Sequence, residues 1–246
     1  AYLVRRLLEN TSNDSFLRAS FAENVNVEEL LMKPSLHGFR LPPLSEDANL
    51  HPRSATDNSF RNEPLTDFTH AASRQTMERA LAQVTSQRGR SFPVVIDGKH
   101  IQTRNRLTSR NPSHKTQVVG YTGSATAEDA RQAVSAARKA FRDWSRVEPQ
   151  FRADYLDLVA QKMRDRRFEL AAWEVYECGK PWIEADADVA EAIDFCTYYA
   201  QQMRELAVPR VCHVPGEENN YFYRPRGVVV TIAPWNFPLA ILTGMT

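Results

Sequence analysis

The stretch that decides the predicted fold is Gly227-Val228-Val229-Val230-Thr231-Ile232-Ala233-Pro234-Trp235-Asn236-Phe237-Pro238-Leu239. Residues 227–233 form a continuous apolar run, which is typical of a strand buried on both faces of a parallel sheet. The run leads into a loop in which two prolines restrict the backbone on either side of Asn236. Because ligands bind at the carboxyl ends of strands in open α/β sheets, we predict an α/β fold with a site in this loop.

The chemical candidate in the loop is Asn236, which lies between two aromatic residues. A side-chain amide that is fixed in a dry pocket can donate a hydrogen bond to a developing oxyanion. The alternative is a tight turn in which the amide satisfies only the local backbone. The residues by themselves leave both interpretations open.

The composition argues against several classes of protein. The 246 residues are 42% hydrophobic and 25% charged, as in ordinary globular domains, and a net charge of +1 without a basic run gives no reason to expect a nucleic-acid site. No apolar stretch approaches the ~20 residues that span a bilayer, so no transmembrane segment is expected. Cys178, Cys196 and Cys212 lack metal-ligand spacing, which predicts reduced structural thiols, no metal site and a cytoplasmic protein. Any membrane association would be carried by a longer parent protein.

The remaining pattern divides the chain into three parts. Residues 1–33 hold two short helical patterns, residues 34–64 are a Pro-rich linker, and helices and strands alternate from residue 65 onward. The predicted helices of the third part cover residues 66–87, 126–144, 151–178 and 183–207. Its predicted strands cover residues 92–96, 99–102, 116–121, 220–223 and 227–233.

Local signals set several of these boundaries. Thr126 is predicted to cap the helix that follows it, and Asp97-Gly98 is a strong signal for a hairpin turn. Gly179 and Pro181 predict the end of the second long helix. Cys178 precedes this stop, but no His is nearby to activate its thiol, so we do not predict it as a nucleophile.

These motifs resemble the aldehyde dehydrogenase superfamily over roughly residues 90–246. Besides the loop, the likeness rests on Arg110-Asn111-Pro112, the helix over 126–144, Glu177-Cys178-Gly179-Lys180-Pro181 and Arg226-Gly227-Val228. The resemblance implies the N-terminal part of an aldehyde dehydrogenase fold, with an incomplete Rossmann-like NAD domain.

The same resemblance implies roles for the residues of the loop. Asn236 would be catalytic, because it would donate to the oxyanion of the thiohemiacetal. The implied NAD-binding residues are Ile232, Ala233, Pro234 and Trp235.

Residues 184–195 resemble the pyrroline-5-carboxylate (glutamate-semialdehyde) dehydrogenases within that superfamily. This resemblance implies that Glu191 and Phe237 approach the substrate, L-glutamate γ-semialdehyde. Helical spacing places Glu184, Asp188 and Glu191 on one face. We expect Glu184 and Asp188 to lie on a solvated face, and the same alternative stands for Glu191.

The N-terminal segment carries a second candidate, the adjacent pair Arg5 and Arg6. Two guanidinium groups can hold one carboxylate through charge-assisted hydrogen bonds, although such a pair on a helix is usually solvated surface. The segment resembles the last substrate-binding helix of proline dehydrogenase. That likeness implies that Tyr2, Arg5 and Arg6 bind proline beside FAD.

Together the two resemblances imply the bifunctional proline utilization enzymes. Residues 1–33 would then be the C-terminal helices of a proline dehydrogenase barrel, 34–64 a linker, and 65–246 the N-terminal part of the aldehyde dehydrogenase domain. Such an enzyme oxidises proline on FAD and glutamate semialdehyde on NAD, and we expect it to form homo-oligomers.

The nucleophilic Cys, the catalytic Glu, the pyrophosphate-binding turn and most of the flavin barrel are expected outside this chain, which should be inactive alone. Two alternatives remain open at this point. One is a different NAD(P)-dependent aldehyde dehydrogenase, and the other is an inactive scaffold protein with the same fold.

Overall fold

The computed structural model describes residues 60–246, and within them helices and small sheets alternate as predicted for an α/β protein. The helices are α1 (Ala71–Gln87), α2 (Ala127–Trp144), α3 (Pro149–Asp165), α4 (Arg167–Cys178), α5 (Trp182–Leu206) and α6 (Ala240–Met245). The strands are β1 (Arg90–Phe92), β2 (Val94–Ile96), β3 (Lys99–Ile101), β4 (Arg106–Arg110), β5 (Val118–Gly123), β6 (Arg210–Val211) and β7 (Asn220–Tyr221). The predicted barrel helices in residues 1–33 lie outside this range.

The first strands form a three-stranded sheet in the order β1-β5-β4 and a separate hairpin of β2 and β3. In the sheet, β1 runs parallel to β5 and β4 runs antiparallel to it. The single predicted strand over 92–96 is instead divided at Pro93, which has no N–H to donate to a ladder. The hairpin turn is confirmed: Asp97 and Gly98 have φ of 53° and 69°, the left-handed values that a two-residue turn of this kind requires.

The predicted helix over 151–178 is wrong as one element, because Arg166 separates α3 from α4. Arg166 has φ −111° and ψ 15°, and its guanidinium donates two hydrogen bonds to Glu169 in the next turn. Neither Gly nor Pro marks the break, and the spacing of apolar residues gives no sign of it. The sequence pattern therefore predicts one continuous helix. The break allows α4 to pack against both α1 and α5.

Two other helix predictions are confirmed, whereas the helix predicted over 66–87 begins only at Ala71. Thr126 caps α2 in a capping box with Asp129, and α5 begins and ends within one residue of its predicted bounds. The core joins α1, α3, α4 and α5. Its buried members are Met77, Ala80, Val84, Ala160, Ala171, Ala172, Ala185, Val189, Ile193 and Cys196.

The predicted strand over 227–233 is wrong for the described structure. Val229, Val230 and Ile232 are between 70% and 80% exposed, and no described strand pairs with them. A strand exists only through ladder hydrogen bonds to a neighbour, and an apolar run does not say where that neighbour lies. The segment nevertheless delivers the chain to the loop that begins at Pro234. Within the described range, no helix is both long and apolar enough to cross a membrane.

A buried carboxylate joins the segment before α1 to α4 and α5. Asp186 is 1% exposed, and it accepts two hydrogen bonds of 2.7 Å each from the guanidinium of Arg167. Thr66 donates two more, at 2.8 Å from its main-chain N–H and 2.7 Å from its hydroxyl. Burial alone would raise the pKa of Asp186, but these hydrogen bonds outweigh it and lower the pKa.

Asp186→Ala should lower the free energy of unfolding by ~3–5 kcal/mol, because the buried guanidinium of Arg167 loses two hydrogen bonds and keeps only the longer 3.6 Å contact to Glu63. Urea unfolding of the full chain, followed by circular dichroism, measures this change. The matched control is Glu184→Ala on the exposed face of the same helix, which should stay within ~0.5 kcal/mol of wild type. A loss below ~1 kcal/mol for Asp186→Ala would contradict the assigned role.

Candidate active site at the 234–238 loop

The loop of residues 234–238 connects the extended segment to α6, and Asn236 lies exposed in its middle. In the described part of the chain, the Asn236 amide makes no hydrogen bond, so it does not satisfy a neighbouring backbone group. Both of its N–H groups are therefore available to a ligand.

The residues on each side of Asn236 are held by a short stretch that includes the last residue of α4. On one side, the thiol of Cys178 donates to the carbonyl oxygen of Trp235 over 3.6 Å. On the other side, the ammonium of Lys180 lies 4.8 Å from the centroid of the Phe237 ring, a cation–π contact. The residues on both sides of Asn236 are thus contacted from outside the loop, Trp235 through its backbone and Phe237 through its ring.

Gly179 makes this arrangement possible. It ends α4 with φ 70°, a left-handed conformation that glycine adopts without strain, and so reverses the chain before Lys180. A Cβ at Gly179 would also lie 2.9 Å from Cγ of Pro112. The predicted helix stop is confirmed.

Asp188 connects the same ammonium to α6. It is 1% exposed, it forms an ion pair with Lys180, and it accepts a 2.6 Å hydrogen bond from the N–H of Ala240, the first residue of α6. The expectation that Asp188 lies on a solvated face is therefore wrong, because α6 covers that side of α5. Glu184, one turn earlier, is exposed as expected.

Glu174 is the third charged group of this cluster and is 5% exposed. Its carboxylate lies 3.1 Å from Nζ of Lys180, but neither buried oxygen accepts a well-aligned hydrogen bond from a described residue. Burial, together with the charge of Asp188, raises the pKa of Glu174 to about 8, although Lys180 opposes the shift. For Lys180 itself, the two carboxylates outweigh burial, which alone would lower its pKa, and the pKa is raised.

The Cys178 thiol is unsuited to nucleophilic chemistry. Burial is the main cause that raises its pKa to about 11, and the neighbouring Glu177 adds to it, so the thiolate is disfavoured. This agrees with its assignment as a structural thiol. All three cysteines are free, and no His, Cys, Asp and Glu cluster among residues 60–246 could hold a metal ion.

The other predicted site residues lie on both sides of this cluster. Glu191 follows Asp188 by three residues on α5, where burial is the main cause that raises its pKa. Ile232 and Trp235 are 80% and 82% exposed, Pro234 is exposed, and Ala233 is half-buried, so the proposed NAD neighbours present an open apolar surface. Tyr2, Arg5 and Arg6 lie outside the described residues.

Sequence reasoning missed the roles of Glu174, Lys180 and Asp188. A signal for Asp188 existed, because Ala185 and Ala192 lie three and four residues away on the same helix face and are buried. For Glu174 and Lys180, the sequence gives no sign that they share one buried cluster.

Comparison with known proteins yields a family match and close relatives. The model of the aldehyde dehydrogenase family matches residues 100–246. The 1-pyrroline-5-carboxylate dehydrogenase of Geobacillus kaustophilus is 50% identical over 189 residues, which are 76% of this chain and 36% of the relative. The 1-pyrroline-5-carboxylate dehydrogenase 2 of Bacillus subtilis is 46% identical over 188 residues, again 76% and 36%. The chain thus spans 36% of the length of these curated relatives.

Two solved structures are similar as well. A 1-pyrroline-5-carboxylate dehydrogenase from Thermus with bound NAD has a TM-score of 0.73 and 46% identity, covering 77% of this chain and 37% of that one. Proline utilization A from Bdellovibrio bacteriovorus, inactivated by N-propargylglycine, has a TM-score of 0.77 and 46% identity. This second match covers 99% of the chain and 25% of the Bdellovibrio protein.

Glu174→Gln should change how stability depends on pH. The folded carboxyl keeps its proton up to about 8, whereas the ordinary value is 4.5, so the folded state binds more protons between these values. This contribution to stability is fully present below 4.5 and is lost as the pH rises through about 8. The free energy of unfolding of the variant, relative to wild type, should therefore rise over that window.

Urea unfolding at a series of pH values measures this difference. Glu177→Gln, at an exposed position of the same helix, is the matched control and should follow wild type at every pH. Parallel curves for wild type and Glu174→Gln would show that Glu174 is not a buried titrating group.

Proposed function

Because this chain belongs to the aldehyde dehydrogenase family and has its fold, we propose that it forms part of an NAD-dependent enzyme that oxidises L-glutamate γ-semialdehyde to glutamate. The observation that carries this proposal is the free amide of Asn236, in a loop contacted on both sides. Relatives named 1-pyrroline-5-carboxylate dehydrogenase, at 46–50% identity, support this substrate over an unrelated aldehyde. The same identity argues against an inactive scaffold.

Asn236 is the catalytic residue of the proposal. When a nucleophile adds to an aldehyde, negative charge develops on the carbonyl oxygen, and an amide N–H that already points there stabilises the transition state more than the ground state. The contacts of Trp235 and Phe237 restrict the backbone before the substrate arrives. The residues on both sides of the amide therefore need little reorganisation during the reaction.

We assign NAD to the surface of Ile232, Ala233, Pro234 and Trp235. These apolar groups, of which all but the half-buried Ala233 are exposed, directly precede Asn236 and suit the flat face of an aromatic ring. When bound, NAD supplies the acceptor for the hydride that leaves the substrate carbon. In this proposal, these residues hold the nicotinamide ring of NAD beside the substrate carbonyl group that Asn236 polarises.

We assign Glu191 and Phe237 to the substrate. A carboxylate is chemically suited to the ammonium group of an amino-acid semialdehyde, and Glu191 is the half-buried acid on the face of α5 that Asp188 shares. Phe237 would contact the aliphatic part of the substrate.

We further propose that the chain comes from a bifunctional enzyme that also oxidises proline on FAD. Supporting this, the match to proline utilization A covers 99% of the chain, whereas the match to the Thermus enzyme covers 77%. In this proposal Arg5 and Arg6 would hold the proline carboxylate beside FAD, and Tyr2 would pack on the proline ring.

Asn236→Ala should lower kcat for semialdehyde oxidation by ~10²–10³, the scale that follows loss of one oxyanion donor. In the longer enzyme proposed here, NAD affinity, melting temperature and proline oxidation should change little. The matched control is Asn105→Ala, because Asn105 is exposed and accepts hydrogen bonds through its main-chain carbonyl. A normal kcat would remove Asn236 from the mechanism. Weaker NAD binding together with a lower melting temperature would instead show that Asn236 is a structural residue of the turn.

Arg5→Met and Arg6→Met should each raise the KM for proline about tenfold to a hundredfold. Each removes charge-assisted hydrogen bonds worth ~1.5–3 kcal/mol. Steady-state kinetics of both half-reactions measure the effect, and semialdehyde oxidation is the internal control. Unchanged proline kinetics would assign the pair to solvated surface.

A further inference from the structure

The loop around Asn236 is attached to the rest of the protein mainly after Asn236. On the N-terminal side, the contact is the long thiol hydrogen bond to Trp235, whose side chain is 82% exposed. On the C-terminal side, the Phe237 ring meets Lys180, and the N–H of Ala240 meets the carboxylate of Asp188. The position of the amide therefore depends on these two contacts, together with the packing of Leu239 against the core.

Helix α6 cannot supply this anchoring by itself. It has six residues, which is too short for a stable isolated helix, and its N-cap, Leu239, offers no side-chain acceptor. Asp188, which lies on α5, caps α6 instead: its carboxylate accepts a 2.6 Å hydrogen bond from the N–H of Ala240. A close contact completes the attachment, because a Cβ on Gly244 would lie 2.9 Å from the Phe195 ring.

Lys180 keeps the cap in place. Its ammonium pairs with the second oxygen of Asp188, lies 3.1 Å from the Glu174 carboxylate, and also meets the Phe237 ring. Without this positive charge, the buried carboxylate of Asp188 would lose its ion-pair partner beside the carboxyl group of Glu174, and it would have to move or take up a proton. Loss of Lys180 would thus disturb the cap of α6 and the Phe237 ring together.

We propose that Lys180 and Asp188 are positioning residues that fix Asn236 in its reacting geometry, an inference that rests on the catalytic role of Asn236 proposed above. Neither side chain reaches the reacting atoms. They act through Phe237 and Ala240, which follow Asn236 by one and four residues.

The test is a double-mutant cycle in the longer enzyme, with Lys180→Met introduced into wild type and into Asn236→Ala. In wild type, kcat per titrated active site should fall about tenfold to a hundredfold, the effect expected from an ~1 Å misplacement. The NAD dissociation constant should change by less than about threefold. In the Asn236→Ala background the same change should lower kcat no further, because a positioning residue has nothing left to position.

Two conservative variants keep the test decisive if Lys180→Met does not fold. Lys180→Arg retains the charge and should recover most of kcat, whereas Asp188→Asn retains the shape without the charge and should behave like Lys180→Met in both backgrounds. Lys162→Met, at an exposed position on α3, is the matched control and should leave kcat unchanged.

Two outcomes overturn the inference. An equal loss of kcat in both backgrounds would mean that the cluster acts on the fold and not on Asn236, and no loss in wild type would mean that the loop needs no such support. Failure of the proposed function would be detected separately, in the wild-type assay that precedes the comparison of variants. It would appear as a wild-type enzyme that does not reduce NAD with glutamate semialdehyde.

Discussion

The site depends on one ammonium group. Lys180 forms an ion pair with the buried carboxylate of Asp188 and lies 3.1 Å from the buried carboxyl group of Glu174, in a region from which water is largely excluded. A buried ion pair contributes little net stability, because desolvation offsets most of the attraction, but removing one partner is strongly unfavourable. Such a cluster is therefore better suited to fixing one geometry than to stabilising the fold. That geometry determines where the loop with Asn236 lies.

Helix α5 carries two such anchors on different sides. Asp186 and Asp188 are two residues apart, so their side chains leave the helix in nearly opposite directions. Asp186 binds Arg167 and Thr66, which ties down the segment before α1, and Asp188 binds Lys180 and the start of α6. Helix α5 thus links the core formed with α1, α3 and α4 to the loop. The apolar stripe of α5 explains why it is buried, and the two acids explain what it holds.

Much of the fold could be predicted because its signals are local. The cap at Thr126, the turn at Asp97-Gly98 and the stop at Gly179 each depend on neighbours within a few residues. The errors share a different cause. The break at Arg166 and the missing strand over 227–233 depend on which elements pack or pair with those residues, and an apolar period contains no such information.

The same distinction explains how much of the candidate site could be predicted. Asn236 could be predicted as a candidate because its loop is a contiguous motif, with prolines and aromatics around one amide. Its supports were not found because Glu174, Lys180 and Asp188 lie far from the loop in the chain and meet it only after α4 and α5 pack. Residues that react must be of a specific type and are visible as motifs, whereas residues that position them need only supply a charge at the right place. For this reason a buried acid at an otherwise apolar helix face, such as Asp188, is a useful sign that a functional loop lies against that face.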